Sequence, residues 1–101
     1  MASECSEVVV YAVRPERRED FHRTHARVLA ELAQLPGFRA ARTLRALDAP
    51  ARFVDEVTWD SEPSARAAHA AFRSLPGAPA FLATIARVEV ALLAAADASS
   101  A

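Results

Sequence analysis

The sequence predicts a single α+β domain with the element order β-α-β-β-α-β. Its 101 residues suit one domain of ordinary size. Two segments carry apolar residues at helical spacing, and four shorter runs are rich in β-branched and aromatic residues. This order is that of a split βαβ, ferredoxin-like fold, in which an antiparallel sheet carries both helices on one face. We place the domain at residues 7–93 and expect flexible termini at residues 1–6 and 97–101.

A strand and a helix open the domain. Residues 7–14 are a β-branched and aromatic run that ends before Pro15, which predicts a strand. Both faces of this strand are apolar, so it needs cover on both sides. Residues 16–35 predict a helix, because acids stand at the start of the segment, Pro36-Gly37 follows its end, and an apolar stripe runs along it: Phe21, Val28, Leu29, Leu32 and Leu35.

A hairpin follows the first helix. Residues 38–47 and 52–59 predict two strands, which are separated by a turn at Asp48-Ala49-Pro50. Successive side chains of a strand point to opposite faces. One face of the strand at residues 52–59 therefore carries Phe53, Asp55, Val57 and Trp59.

The remaining elements are a second helix, a helical turn and a last strand. Residues 60–63 supply an N-cap and a first-turn proline for a helix that residues 65–72 fill. A helical turn at residues 80–83 then leads into a strand at residues 84–93.

One face of the predicted sheet has no helix to cover it. The first strand is apolar on both faces, and the last strand carries Val88, Val90 and Leu92. Nearly half of the apolar residues are alanines, so one protomer has few large side chains for its core. We therefore expect a homodimer in which two sheets pack face to face.

Composition excludes several classes of protein. The 12 basic residues are all arginine and are balanced by 13 acidic ones, and the net charge of −1 disfavours a nucleic-acid partner. Cys5 is the single cysteine, which rules out an internal disulfide and fits a reducing cytoplasm. The acidic N-terminus does not resemble a signal peptide, and no apolar run is long enough to span a membrane. We expect a cytoplasmic protein without a membrane partner.

Several motifs occur together in this order of elements. They are Arg14-Pro15, Leu35-Pro36-Gly37-Phe38, Leu-x-x-Leu-Asp at residues 44–48, Arg52-Phe53-Val54, Thr58-Trp59-Asp60-Ser61-Glu62 and Ala68-His69. With these motifs, residues 7–93 resemble the antibiotic biosynthesis monooxygenase (ABM) family of dimeric α/β barrels. That family includes cofactor-free oxygenases that convert anthrones or quinols to quinones on aromatic polyketides, and also haem-degrading enzymes and small isomerases.

The resemblance implies different site residues for different branches of the family. The anthrone-oxidising branch matches this chain at Trp59, while Asp55 stands where that branch has an asparagine and Ala65 stands where it has a tyrosine. The haem-degrading branch uses an asparagine on its first strand, and this chain contains no asparagine. The resemblance therefore favours cofactor-free oxygenation over haem degradation.

The candidate catalytic residues are Asp55, Trp59, His69 and His25. A lone carboxylate on an apolar strand face loses hydration unless it is paired or protonated, so Asp55 suits a general base. The structural alternatives are that this strand face turns away from the helices, or that Asp55 forms an ion pair with an arginine such as Arg42 across the hairpin. Trp59 either forms a wall of the pocket or closes the end of the core.

The two histidines face the sheet from different helices. Either His25 or His69 can act as an acid or a base near neutral pH, or serve as a hydrogen-bonded histidine of the core or rim. Together with Asp55 they have the residue types of a non-haem iron site, but they lack local ligand spacing. We therefore expect no metal and no other cofactor.

The candidate substrate-binding residues are Tyr11, Phe53, Phe72 and Val57. Phe53, Phe72 and Trp59 would form apolar walls for a flat aromatic molecule. Tyr11 would join them if its side of the first strand faces the helices, and would lie in the dimer interface if it faces away.

The function that these observations favour is oxidation of an anthrone, quinol or phenol to a quinone with O2, without a cofactor. The partners would be a small aromatic, polyketide-like substrate, O2 and a second copy of the chain. One alternative is an isomerase or cyclase that uses the same base and pocket but no oxygen. A second alternative is a non-catalytic ABM-like binding protein.

Overall fold

A four-stranded antiparallel sheet and three helices make up the fold. The computed structural model describes residues 3–97. Their elements are β1 (Cys5–Val13), α1 (Arg18–Leu32), β2 (Phe38–Arg45), β3 (Arg52–Trp59), α2 (Glu62–Ala71), α3 (Ala78–Leu82) and β4 (Ile85–Ala94). The strands lie in the order β2-β3-β1-β4, and the sheet is open. The predicted ferredoxin-like α+β fold is thus confirmed.

Most elements begin or end one to three residues away from the predicted bounds, and the first three show this. β1 begins at Cys5 rather than at residue 7, because Cys5 and Ser6 pair with the end of β3. α1 begins at Arg18, after a single 3-10 turn at Pro15–Arg17. β2 ends at Arg45, two residues short of its predicted end. Of the segments expected to be flexible, residues 1, 2 and 98–101 lie outside the described residues.

The helices within residues 3–97 are short. The longest, α1, has 15 residues, which is about three-quarters of the length that a bilayer core requires. None of these helices combines the length and the hydropathy that a membrane-crossing segment needs.

The two faces of the sheet differ in cover. Tyr11 and Val13 on β1 and Phe53 and Val57 on β3 are buried beneath the helices. Tyr11 pairs with Phe53 across the strands, and Val9 pairs with Asp55. The helix side of the sheet therefore holds both Tyr11 and Asp55, which decides between the two faces left open for Tyr11.

An aromatic cluster fills the core between α1 and the sheet. Phe21 lies at its centre, with its ring centroid 4.7 Å from that of Phe53 and 5.0 Å from that of His25. Tyr11 and Phe81 complete the cluster at centroid distances of 5.9 and 6.2 Å from Phe21. This packing fixes the side of α1 that carries His25 against the sheet.

The opposite side, here called the outer face, carries an exposed apolar row beside the ion pair of Arg42 and Glu56. In the register of the sheet, Leu44, Val54, Val10 and Val90 form one row across all four strands. Leu44 and Leu92 are each 47% exposed and Val90 is 43% exposed. A contiguous apolar surface of this kind is typical of an interaction site.

Gly37 makes the turn that leads from α1 into β2. Its φ of 87° is the left-handed conformation that glycine adopts without strain. A Cβ atom at this position would lie 2.5 Å from Ser64 Oγ. The turn is fastened to the end of β3 by a hydrogen bond of 2.8 Å from Asp60 N to Gly37 O, so the Pro-Gly-Phe motif joins α1, β3 and α2.

Candidate active site

A cavity of about 460 Å³ lies between the sheet and the three helices. Its walls are mainly apolar and include Val9, Val28, Leu29, Leu32, Val57 and Phe72. Its polar lining comes from Tyr11, Asp55, Glu7, His69 and Arg73. A second concavity of about 690 Å³ lies on the outer face near Ser6, Val8 and Thr58. The cavity beneath the helices is the one that brings the candidate residues together.

Asp55 is the centre of a polar cluster at the inner end of the cavity. Tyr11 donates its hydroxyl hydrogen to Asp55 Oδ2 over 3.0 Å, and Thr43 donates to Oδ1 over 2.7 Å. His25 Nε2 lies 3.1 Å from Oδ1 and 3.0 Å from Oδ2. The side chains of Asp55 and His25 are 13% and 10% exposed. Three polar partners thus compensate the free-energy cost of removing the Asp55 carboxylate from water.

Local structure explains why these four side chains meet. Thr43 is the direct partner of Asp55 in the hairpin, and it lies on the same face of the sheet. Tyr11 is the diagonal neighbour of Asp55 on β1, since Val9 is the direct partner. His25 is one helical turn after Phe21, so the packing of that ring places His25 above the carboxylate.

The cluster can hold Asp55 in either protonation state. The hydroxyls of Tyr11 and Thr43 donate to the carboxylate and, after rotation about their C–O bonds, accept from a carboxylic acid. Burial, followed by the charge of Asp55 and its hydrogen bond, raises the pKa of Tyr11 far above its ordinary range. Tyr11 therefore stays a neutral donor, and Asp55 is the member of this hydroxyl–carboxylate pair that can take up a proton.

A second polar group stands at the exposed end of the cavity, here called the mouth. His69 Nδ1 on α2 lies 2.8 Å from Glu7 Oε2 on β1. The side chain of His69 is largely exposed, and that of Glu7 is partly buried. Arg73, one turn after His69, also lines the cavity.

The structure brings some of the predicted site residues together and separates others. Asp55, His25 and Tyr11 form one hydrogen-bonded cluster, and Val57 and Phe72 line the same cavity. His69 lines the cavity too, but its ring nitrogen pairs with Glu7 rather than with Asp55. The buried position on this part of α2 belongs to its neighbour Ala68.

Trp59 and Phe53 lie in the core rather than in the cavity wall. Trp59 is almost fully buried and packs edge-on against Phe38 at a centroid distance of 5.7 Å. Its Nε1 has no hydrogen-bond partner among residues 3–97. Phe53 packs on Phe21 and Tyr11 within the aromatic cluster. In both cases the side chain fills space beneath the helices that the cavity does not reach.

An ion pair between Asp55 and Arg42, one of the two structural alternatives, is absent from the described structure. Arg42 instead donates from Nε to Glu56 over 3.1 Å. Glu56 follows Asp55 directly on β3, so its side chain points to the outer face. Arg42 pairs with Glu56 in the strand register, which places both side chains on that face.

Three residues of the site escaped the sequence analysis. Thr43 could have been found from the hairpin register, because the positions opposite one another in the two strands are fixed by the turn between them. Glu7 and Arg73 carry no local signal, since their approach to the cavity depends on where α2 packs. No three His, Cys, Asp or Glu side chains in residues 3–97 are grouped so that they could hold a metal ion.

Comparison with known proteins identifies the family. The family model for antibiotic biosynthesis monooxygenase matches residues 6–87. SnoaB from Streptomyces nogalater, described as a cofactor-independent oxygenase, is 28% identical, with a TM-score of 0.81 over 97% of each chain.

More distant structures share the fold. A protein from Bordetella bronchiseptica, described as a candidate antibiotic biosynthesis monooxygenase, is 17% identical, with a TM-score of 0.79 over 94% of this chain and 98% of its own. A similarly described protein from Nitrosomonas europaea is 16% identical, with a TM-score of 0.75 over 100% of this chain and 97% of its own. No curated protein matches the sequence. The match of the family model shows that this chain belongs to the antibiotic biosynthesis monooxygenase family.

Proposed function

We propose that this protein is a cofactor-independent oxygenase that converts an electron-rich anthrone, quinol or phenol of polyketide type to a quinone with O2. The observation that carries the proposal is the Asp55 carboxylate, held by Tyr11, Thr43 and His25 at the inner end of an apolar cavity. The similarity to SnoaB, described as a cofactor-independent oxygenase, supports the same reaction class.

The reaction begins with removal of a proton from the substrate by Asp55. For an anthrone, loss of a benzylic proton leaves a carbanion that gives one electron to O2, and the resulting radical and superoxide combine to form a peroxide anion. Asp55 returns its proton to that peroxide. Loss of the second benzylic proton and departure of hydroxide then give the carbonyl and one water, so that all atoms of anthrone and O2 are accounted for.

The protein's contribution is a base in a confined apolar space. Val9, Val28 and Val57 keep bulk water away from the substrate ring, which favours transfer of the proton to Asp55. When Asp55 becomes protonated, the hydroxyl on the protonated oxygen, Tyr11 at Oδ2 or Thr43 at Oδ1, turns from donor to acceptor, and the other continues to donate. His25 holds the carboxylate in place through both of its oxygens. Positioning and charge stabilisation of this kind account for typical acid–base catalysis.

Oxygen uptake is the test of this function. Purified, metal-stripped protein is offered a panel of anthrones and hydroquinones in an oxygen electrode, with the products identified by mass spectrometry. We expect O2 consumption above the uncatalysed rate and, for the anthrones, one oxygen atom from O2 in the quinone. Substrate turnover without O2 consumption would favour the isomerase or cyclase, and binding without turnover would favour the binding protein; either result contradicts the oxygenase.

We further propose that the protein works as a homodimer joined through the outer face. The row formed by Leu44, Val54, Val10 and Val90 gives each copy the same apolar surface, as a twofold interface requires. A domain of this size also buries less of its surface than a larger one, so a partner sheet adds the burial that its core lacks.

Val10→Glu should break this dimer. Val10 lies in the middle of the row, between Val54 and Val90, and a glutamate there would be buried without a partner. A buried unpaired charge costs about 3–5 kcal/mol, so we expect the dimer dissociation constant to rise about a hundredfold or more. Equilibrium sedimentation measures it. The control is Leu47→Glu, at a residue that is 91% exposed in the turn between β2 and β3. A native protein that stays monomeric at low micromolar concentration would contradict the dimer.

A further inference from the structure

The mouth of the cavity carries a cation that the reaction at Asp55 does not use. Arg73 lines the cavity beside Glu7 and His69. Glu7 is engaged with His69 over 2.8 Å. Among the residues that the structure describes, no acidic side chain lies within ion-pairing distance of Arg73, whereas Arg66 on the same helix pairs with Glu62. The guanidinium of Arg73 is therefore available to a ligand in the cavity.

The two polar ends of the cavity are separated along the sheet. Glu7 marks the mouth, and Asp55 at the inner end is level with Val9, two residues further along β1, which is about 7 Å in an extended strand. The wall beside these two positions is formed by Val9 and Val57. A ligand that touches both ends needs an apolar body of at least this length, and a polycyclic aromatic has one.

The two ends differ in charge. The inner end holds the carboxylate of Asp55, which repels an anionic substituent, whereas the mouth holds the cation of Arg73 beside a carboxylate, Glu7, that is already engaged with His69. A substrate that carries an acidic group therefore enters with its neutral, oxidisable ring first and leaves its acidic group at the mouth.

We infer that Arg73 binds a carboxylate of the substrate, which is a polycyclic aromatic acid whose acidic group lies at the end remote from the oxidised ring. The inference rests on the proposed function and specifies its substrate class. Because a guanidinium binds a carboxylate through two parallel hydrogen bonds, this contact also fixes which ring carbon faces Asp55.

The test compares two unreactive product-like ligands, so oxygen chemistry does not enter. They are an anthraquinone carboxylate and the hydroxymethylanthraquinone with the same ring position substituted, and binding is measured by calorimetry. We expect the native protein to bind the carboxylate about fivefold more tightly, with the preference shrinking as salt is added. Arg73→Gln should abolish the preference and leave binding of the neutral ligand within about twofold. Arg45→Gln, which removes an exposed arginine outside the cavity, should preserve it.

The outcomes distinguish a failure of the Arg73 contact from a failure of the proposed oxygenase function. Equal binding of the two ligands by the native protein, or an equal loss of both in Arg73→Gln, would overturn the role of Arg73 and leave the oxygenase standing. If neither ligand bound, the cavity would not accept a polycyclic aromatic molecule, and both proposals would be overturned.

Discussion

Asp55→Asn is expected to lower kcat by about 100- to 10,000-fold, the usual contribution of a positioned general base. Asparagine has nearly the same shape as aspartate, and its carbonyl oxygen still accepts hydrogen bonds from Tyr11 or Thr43. It cannot accept a proton from the substrate. The measurement is steady-state O2 uptake at saturating substrate, with circular dichroism to confirm that the variant is folded.

The control for this variant is Glu62→Gln. Glu62 begins α2 and pairs with Arg66, and both side chains are exposed and lie outside the cavity and the outer face. We expect kcat to stay within about twofold of the native value, since surface ion pairs contribute little. An unchanged kcat in Asp55→Asn would instead mean that hydrogen bonding at this position suffices, as in the branch of the family that has an asparagine here, and that the proton leaves by another route.

Much of the site follows from strand and helix periodicity. The alternation of β3 predicts that Asp55 shares a face with Phe53, Val57 and Trp59, and three of these four side chains are buried beneath the helices while Asp55 is nearly so. The helical stripe of α1 predicts that His25 faces the sheet, and its ring lies against Phe21. In both elements large apolar residues mark the side that the structure buries, although the sequence leaves open whether the face of β3 that carries Asp55 turns towards the helices.

Two other features depend on packing that local sequence does not encode. β1 is apolar on both faces, so its pattern cannot tell whether Tyr11 faces the helices or the outer face. α2 is rich in alanine, and a helix without large apolar residues has a weak preference for one rotation about its axis. For that reason the burial of Ala68 and the exposure of His69 become evident from the structure alone.

Alkaline pH should destabilise the native protein through Tyr11. Burial and the neighbouring Asp55 raise the pKa of Tyr11, so the folded state keeps the phenol proton where the unfolded chain, with a pKa of about 10, releases it. The unfolded state then binds fewer protons than the folded state, and the free energy of unfolding must fall as the pH rises. The stabilisation is fully present below pH ~10 and decreases above it by about 1.4 kcal/mol per pH unit.

Tyr11→Phe is the matched variant for this effect, because Tyr11 is the single tyrosine and the chain contains no lysine. Every other titrating group is present in both proteins, so the difference between their free energies of unfolding, measured with urea at several pH values, isolates Tyr11. We expect the free energies of unfolding of the two proteins to converge as the pH rises above about 10. Only the protein that retains Tyr11 has a phenol that ionises on unfolding. The tyrosinate absorbance should appear together with the loss of ellipticity. If tyrosinate formed near pH ~10 while the ellipticity stayed native, the Tyr11 hydroxyl would be open to solvent. That result would contradict the role of Tyr11 as a neutral donor to Asp55.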